Sequence, residues 1–122
     1  MRKKIIKVGI MPRDQYIQRT IDIASGQYKP KKTEPKIWFD SLKSLGEVLS
    51  RENQDLLKTI LEYNPHSIKE LEVITGRKSS NLSRTLRTME QHGLVDLEPG
   101  PGHTTRPKVK GTNFQVEFGL IQ

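Results

Sequence analysis

The segment RKSSNLSRTLRTM, residues 77–89, combines many hydrogen-bonding side chains with a complete lack of carboxylates. Four basic residues stand here among serines, threonines and one asparagine, with no Asp or Glu. Arginine can bind guanine in a bidentate manner, asparagine can bind adenine, and threonine offers a methyl group to thymine. An ordinary exposed helix usually carries paired Glu and Lys instead. The segment therefore predicts a surface that contacts base edges in preference to a plain solvated face.

The spacing of apolar residues predicts that this segment is a helix. At ~100° per residue, Leu82, Leu86 and Met89 fall on one stripe, which we expect to be buried. The polar side chains lie on the opposite face or at its margins, and the serines at the start allow close approach to phosphate. The candidate DNA contacts here are Arg77, Lys78, Ser79, Ser80, Asn81, Arg84, Arg87 and Thr88.

A basic hairpin is predicted after this helix. Beyond Gly93 the apolar period changes to two, the turn-rich sequence PGPGH follows at residues 99–103, and residues 104–110 return as a second strand. His103, Thr104 and Arg106 are the candidate contacts, and Arg106 suits a narrow minor groove. Two lysines of the return strand, Lys108 and Lys110, fit either DNA contact or charge protection of an edge strand.

Three helical patterns precede the opening segment, at residues 41–49, 51–63 and 67–75, and Ser50 and Ser67 are suited to N-capping the second and third of them. Glu70 stands three residues after Ser67 and predicts a capping box. IWF at residues 37–39 predicts a short strand in which Trp38 is a packing anchor. The order of helix, helix, short helix, tight turn, helix and basic hairpin indicates an α+β fold, a winged helix-turn-helix with an N-terminal strand–helix arm.

Two regions are predicted, with a boundary after residue 35, within the linker sequence YKPKKTEPK of residues 28–36. Residues 1–35 form a basic arm and linker with a strand over residues 2–10 and an amphipathic helix that Gly26 ends. The apolar face of that helix requires burial against the body, a second subunit or another protein. Residues 36–122 form the DNA-binding domain, whose alternating Phe114, Val116 and Phe118 predict a final half-buried strand.

The charge of the chain is strongly positive and unevenly distributed. The formal net charge is +7. Residues 1–36 hold ten Lys and Arg against three Asp and Glu, and residues 77–110 hold seven against three. Residues 111–122 hold no Lys or Arg and one Glu. This segregation favours a polyanionic partner such as nucleic acid.

Several functional classes are disfavoured by the residues that are present. There is no cysteine, and the three histidines are scattered over turns and helix ends. No paired acid site, metal-binding motif or glycine-rich phosphate loop is recognisable. We therefore expect no catalytic residue, no metal and no cofactor. No apolar run approaches the ~18 residues of a membrane helix, and we expect a cytoplasmic protein.

Four sequence blocks carry a resemblance to a known family. They are EPKIWF, the helical pattern around SLKSLGEVLSREN, the turn and helix ELEVITGRKSSNLSRTL, and the junction MEQHGLV. Together they resemble the predicted winged-helix DNA-binding family of bacteria and archaea that is loosely grouped with MarR-type regulators. The resemblance implies a transcriptional regulator with DNA contacts at Ser79, Ser80, Asn81, Arg84 and the wing. Some members of that family look like antitoxins.

These observations lead to two main hypotheses. The first is a sequence-specific regulator that binds double-stranded DNA as a homodimer on a palindromic operator. It is expected to act as a repressor of its own operon. The second is an antitoxin that binds a cognate toxin protein through residues 1–27 and uses DNA binding for autoregulation. A winged helix that contacts RNA or protein alone is a further alternative.

Overall fold

The sequence IIKVGI forms the central strand of a parallel sheet. In the computed structural model, which describes residues 2–120, β1 (Ile5–Ile10) lies between β2 (Ile37–Phe39) and β5 (Asn113–Glu117). Both neighbours run parallel to β1. The pairing of β1 with β5 joins the predicted arm to the predicted DNA-binding domain across the boundary after residue 35. The domain limits at residues 1 and 122 lie outside the described residues.

The remaining elements follow the order that the sequence predicted, and the fold is α+β. They are α1 (Arg13–Ala24), α2 (Leu42–Val48), α3 (Arg51–Tyr63), α4 (Ile68–Thr75), α5 (Ser79–Gln91), β3 (Val95–Pro99) and β4 (Thr105–Val109). β3 and β4 form an antiparallel hairpin. Within the described residues no helix is long and apolar enough to cross a membrane.

Serine side chains begin the three middle helices. The hydroxyl oxygens of Ser41, Ser50 and Ser67 accept backbone N–H groups three residues later and thereby satisfy donors that the helix leaves free. The predicted capping box at Ser67 is only half formed. The Glu70 carboxylate accepts the amide of His66, at 3.3 Å, and not that of Ser67.

The core lies on one face of the parallel sheet. Val8 and Phe39 project from the sheet toward Leu45 of α2. Beside them is a larger cluster to which α3, α4, α5 and the hairpin contribute. Its buried members are Leu56, Leu57, Ile60, Leu71, Leu82, Leu86, Met89, Leu94 and Val95.

The other face of the sheet carries α1 through a small aromatic and ionic cluster. The indole of Trp38 lies flat against Gly9, where any Cβ would approach a ring carbon to 2.3 Å. The Arg19 guanidinium lies 5.1 Å from the Trp38 ring centre and 3.1 Å from a Glu34 oxygen. Tyr28 donates its hydroxyl to the same carboxylate. Trp38 is therefore a packing residue, as predicted.

The apolar side of α1 is not covered by the described residues of the chain. No residue of α1 is buried, and Tyr16, Ile17 and Ile21 are 43%, 48% and 53% exposed. The final strand is likewise less buried than predicted. Phe114 is half-buried, whereas Val116 and Phe118 are 43% and 55% exposed, and Phe118 lies beyond the end of β5.

Gly9→Ala is expected to lower the free energy of unfolding by ~1–3 kcal/mol, because the new methyl group overlaps the rigid indole of Trp38. Gly46→Ala is the matched control. Gly46 lies inside α2 with open space around its Cα, so the same change should stabilise the helix by ~0.5–1 kcal/mol. Urea denaturation measures both values. Equal stability of the Gly9 variant and the parent would contradict this packing.

The pKa of Glu34 is held below its ordinary value of 4.5, first by the hydrogen bond from Tyr28 and also by Arg19. A lowered pKa in the folded state means that the unfolded chain binds more protons. The stabilisation is thus present above pH 4.5 and is lost as the pH falls through the folded-state pKa.

We therefore expect Glu34→Gln to flatten the loss of stability between neutral and acid pH. Thermal unfolding followed across this range gives the measurement, with Glu47→Gln on the exposed face of α2 as the control. If the stability of the parent and that of Glu34→Gln fell in parallel with pH, the Glu34 carboxylate would not be stabilised by Tyr28 and Arg19 in the folded chain.

Candidate nucleic-acid interface

The helix α5 is positioned by its buried stripe and by a tight turn from α4. Leu82, Leu86 and Met89 are completely buried, as their spacing predicted. Leu71 of α4 is equally buried in the same cluster. Gly76 ends α4 with φ of 74°, a left-handed conformation that glycine adopts without steric cost. The angle of α5 is thus determined by a well-packed core.

The polar side of α5 is exposed along its length. The predicted contact residues that are exposed on this helix or at its N-cap are Lys78, Ser79, Ser80, Asn81, Arg84, Arg87 and Thr88. Ser83 and Thr85 are half-buried at the margins. Thr88 donates its hydroxyl to the Arg84 carbonyl at 3.1 Å, which directs the hydroxyl proton back to the helix. The exposed face is therefore a continuous strip of hydroxyl, amide and guanidinium groups.

The N-terminus of α5 lacks the serine cap that begins the three preceding helices. Its N-cap is Lys78, whose side chain makes no capping hydrogen bond. The first backbone bond runs from the Leu82 amide to the Lys78 carbonyl, at 3.0 Å. In the part of the chain that the structure describes, the amides of residues 79–81 thus have no hydrogen-bond acceptor. Such amides and the helix dipole favour an anion at this end.

The guanidinium of Arg77 is hydrogen-bonded to the side chain of Asn81. Its Nε and Nη2 atoms donate to the Asn81 Oδ1 at 3.0 and 2.7 Å. The amide nitrogen of Asn81 remains available as a donor, while its oxygen is already shared with a guanidinium. Bidentate binding of adenine needs both atoms of the amide, so it would require Arg77 to share or release this oxygen.

The cations at the start and on the outer face of α5 differ from the lysines of the hairpin in their ion pairing. Among residues 2–120, Lys78, Arg84 and Arg87 have no carboxylate within ion-pair distance. Lys108 lies 3.7 Å from Glu98, and Lys110 lies 3.5 Å from Asp96. The two hairpin lysines therefore neutralise acids of the neighbouring strand, which favours the edge-protection interpretation of these residues. Lys78, Arg84 and Arg87 therefore carry positive charge without a local partner among the described residues, as do most cations of residues 2–36.

The tip of the hairpin is a short 3-10 turn over Pro101–His103. The Gly100 amide donates to the Thr104 carbonyl at 2.8 Å, and the Thr104 hydroxyl donates to the Pro101 carbonyl at 2.7 Å. His103 is exposed with φ of 66°. The tip thus has a defined shape and presents the His103 imidazole to solvent.

Arg106 is the second residue of β4, close to the hairpin tip, and pairs with Glu98 of β3. It is half-buried, and its Nη2 donates to Asn64 Oδ1 at 3.1 Å. Its Nε is buried without a hydrogen-bond partner among the described residues. The role predicted for Arg106 in a minor groove remains a prediction. Asn64 ends α3 in a left-handed conformation. The sequence predicts a helix stop at Asn64-Pro65 but contains no pattern that indicates the contact between Asn64 and Arg106.

Comparison with known proteins gives one match. The model of the HVO_A0114 family matches residues 48–116, which is more than half of the chain and spans the elements from α3 through most of β5. No curated protein and no solved structure matches the sequence. The matched segment contains α4, α5 and the hairpin, and the chain belongs to the HVO_A0114 family.

Proposed function

We propose that this protein is a transcriptional regulator that binds double-stranded DNA sequence-specifically through a winged helix-turn-helix. The observation that carries the proposal is the outer face of α5. It is exposed, free of acids from residue 77 to residue 89, and its arginines lack ion-pair partners among the described residues. An unpaired guanidinium can bind guanine without first breaking an existing bond.

The proposed docking places α5 in the major groove, which is wide enough to admit a helix. α4 holds α5 from behind through the buried contacts of Leu71 with the core. The uncapped N-terminus approaches a phosphate, and the exposed Arg84 and Arg87 reach base edges or the backbone. His103 and Thr104 at the hairpin tip contact the adjacent backbone.

Regulators of this architecture commonly bind two half-sites as dimers, and operator symmetry then mirrors protein symmetry. We propose a homodimer on a palindromic operator, acting as a repressor. The net charge of +7 supports DNA binding, because neutralised phosphates release counterions and strengthen association at low salt. This electrostatic contribution does not depend on sequence. Specificity would come from the side chains of α5.

An antitoxin is the second candidate, and the exposed apolar side of α1 favours it. Tyr16, Ile17 and Ile21 present apolar surface that the described residues of the chain leave uncovered, and such surface commonly marks a protein contact. A small toxin-like reading frame beside the gene would support this function under one condition. This protein must relieve the growth inhibition that the product of the frame causes, and an Ile17→Asp variant must not. Equal relief by the variant would argue against α1 as the contact.

Arg84→Ala is expected to weaken binding to the selected operator by ~1–3 kcal/mol and to relax the preference at one base position. Sites selected from random duplex DNA provide the operator, and fluorescence anisotropy provides the affinity. Lys43→Ala removes the same charge from an exposed position on α2 and should leave base preference unchanged. Unaltered affinity and preference in the Arg84 variant would contradict the proposed reading face.

Lys78→Ala is expected to weaken binding to all duplexes about equally and to reduce the slope of log affinity against log salt by about 1, as loss of one phosphate contact should. Anisotropy titrations between low and moderate salt measure the slope, with duplex RNA as a competitor. An unchanged slope would remove Lys78 from the phosphate contacts. Preference for RNA over DNA would contradict the proposed function itself.

A further inference from the structure

The outer edge of β5 differs from the other strand edges among the described residues. Natural proteins protect sheet edges with short strands, proline, charge or a covering element. β2 has only three residues, β3 carries Asp96 and Glu98, and β4 contains Pro107 and Lys108. β5 contains neither proline nor a basic residue, and its one charge is Glu117 at its end.

The free edge of β5 offers a regular set of main-chain groups. Asn113 donates its N–H to the Lys4 carbonyl on the side of β1, at 3.1 Å. Because alternate residues of a strand direct their N–H and C=O groups to opposite sides, those of Phe114 and Val116 point away from β1. The sheet order β2-β1-β5 leaves them without a strand partner among residues 2–120.

We propose that a second copy of this chain occupies this edge, with β5 of each copy pairing antiparallel across a two-fold axis at Gln115. Phe114 of each copy then forms a hydrogen-bonded pair with Val116 of the other copy. The two pairs together give four main-chain hydrogen bonds. The two three-stranded sheets join into one sheet of six strands. A two-fold contact of this kind closes on itself and leaves no β5 edge free for further growth.

Side chains and charge agree with this register. It places Glu117 opposite the neutral Asn113 and sets Phe114 beside Val116, which is 43% exposed in the single chain. Two chains of charge +7 would repel each other over most of their surfaces. The contact uses the C-terminal segment from residue 111 onward, which contains no Lys or Arg.

The proposed dimer contact follows from the free edge of β5 alone. The agreement of this dimer with a palindromic operator rests in addition on the proposed function. A two-fold axis through the shared sheet keeps equivalent elements of both copies on the same face of that sheet. The two α5 helices would therefore lie on the same face, since both belong to the layer packed against Val8 and Phe39.

Light scattering of the full chain without DNA tests the contact. We expect twice the 14.0 kDa of one chain for the parent, and a monomer for Val116→Lys, which places a charge and a long side chain at the paired edge. Val73→Lys makes the same change at a residue of α4 that is 82% exposed and should stay dimeric. Circular dichroism and thermal unfolding report whether the monomeric variant is folded.

A cross-link tests the register independently of any loss of folding. The chain has no cysteine, so Gln115→Cys introduces a single thiol. Opposed residues at a non-hydrogen-bonded antiparallel position have Cα atoms ~4.5 Å apart, which a disulfide can span. Mild oxidation should give a covalent dimer with Gln115→Cys and not with Val73→Cys.

A monomeric parent, a dimeric Val116→Lys variant or equal cross-linking of the two cysteine variants would each overturn the proposed contact. These results are separate from those on DNA. Arg84→Ala should remain dimeric while losing operator preference. Folded Val116→Lys should keep its preference for the half-site sequence and lose only the added affinity of paired half-sites.

Discussion

The complete burial of Leu82, Leu86 and Met89 is the constraint on which the rest of the structure depends. Three fully buried side chains on one helical stripe leave α5 a single orientation relative to Leu71 and the helices behind it. The burial of large apolar side chains contributes ~1.5–3 kcal/mol each, which is large against the net stability of a small domain. Orientation of the polar face is therefore a consequence of core packing and does not require ligand.

Ion pairing distinguishes the hairpin lysines and Arg19 from the arginines of α5. In the hairpin, lysines face acids on the adjacent strand, and in the sheet layer Arg19 lies between Glu34 and two aromatic rings. On α5, by contrast, Arg84 and Arg87 have no such partner among the described residues. A cation that already has a carboxylate nearby gains less from a phosphate, so the unpaired group is better suited to binding an external anion.

The parallel sheet connects parts of the chain that lie far apart in sequence. β1 pairs with β5, and the Lys4 amide donates to the Thr112 hydroxyl at 2.8 Å across 108 residues. The family match begins at residue 48 and thus leaves out β1, α1 and β2. In this chain the matched segment depends on an earlier strand to complete its sheet, while the apolar side of α1 remains available outside it.

The sequence by itself determined the helices, their serine caps and the buried stripe of α5, because periodicity and capping depend on residues only three or four positions apart. Only the tertiary structure decided which groups meet across long separations. Arg106 contacts Asn64, and Lys108 and Lys110 pair with acids of β3. β1 is the centre of a sheet, whereas the sequence predicts it as part of an arm. Such contacts depend on how the whole chain packs, which local spacing does not specify.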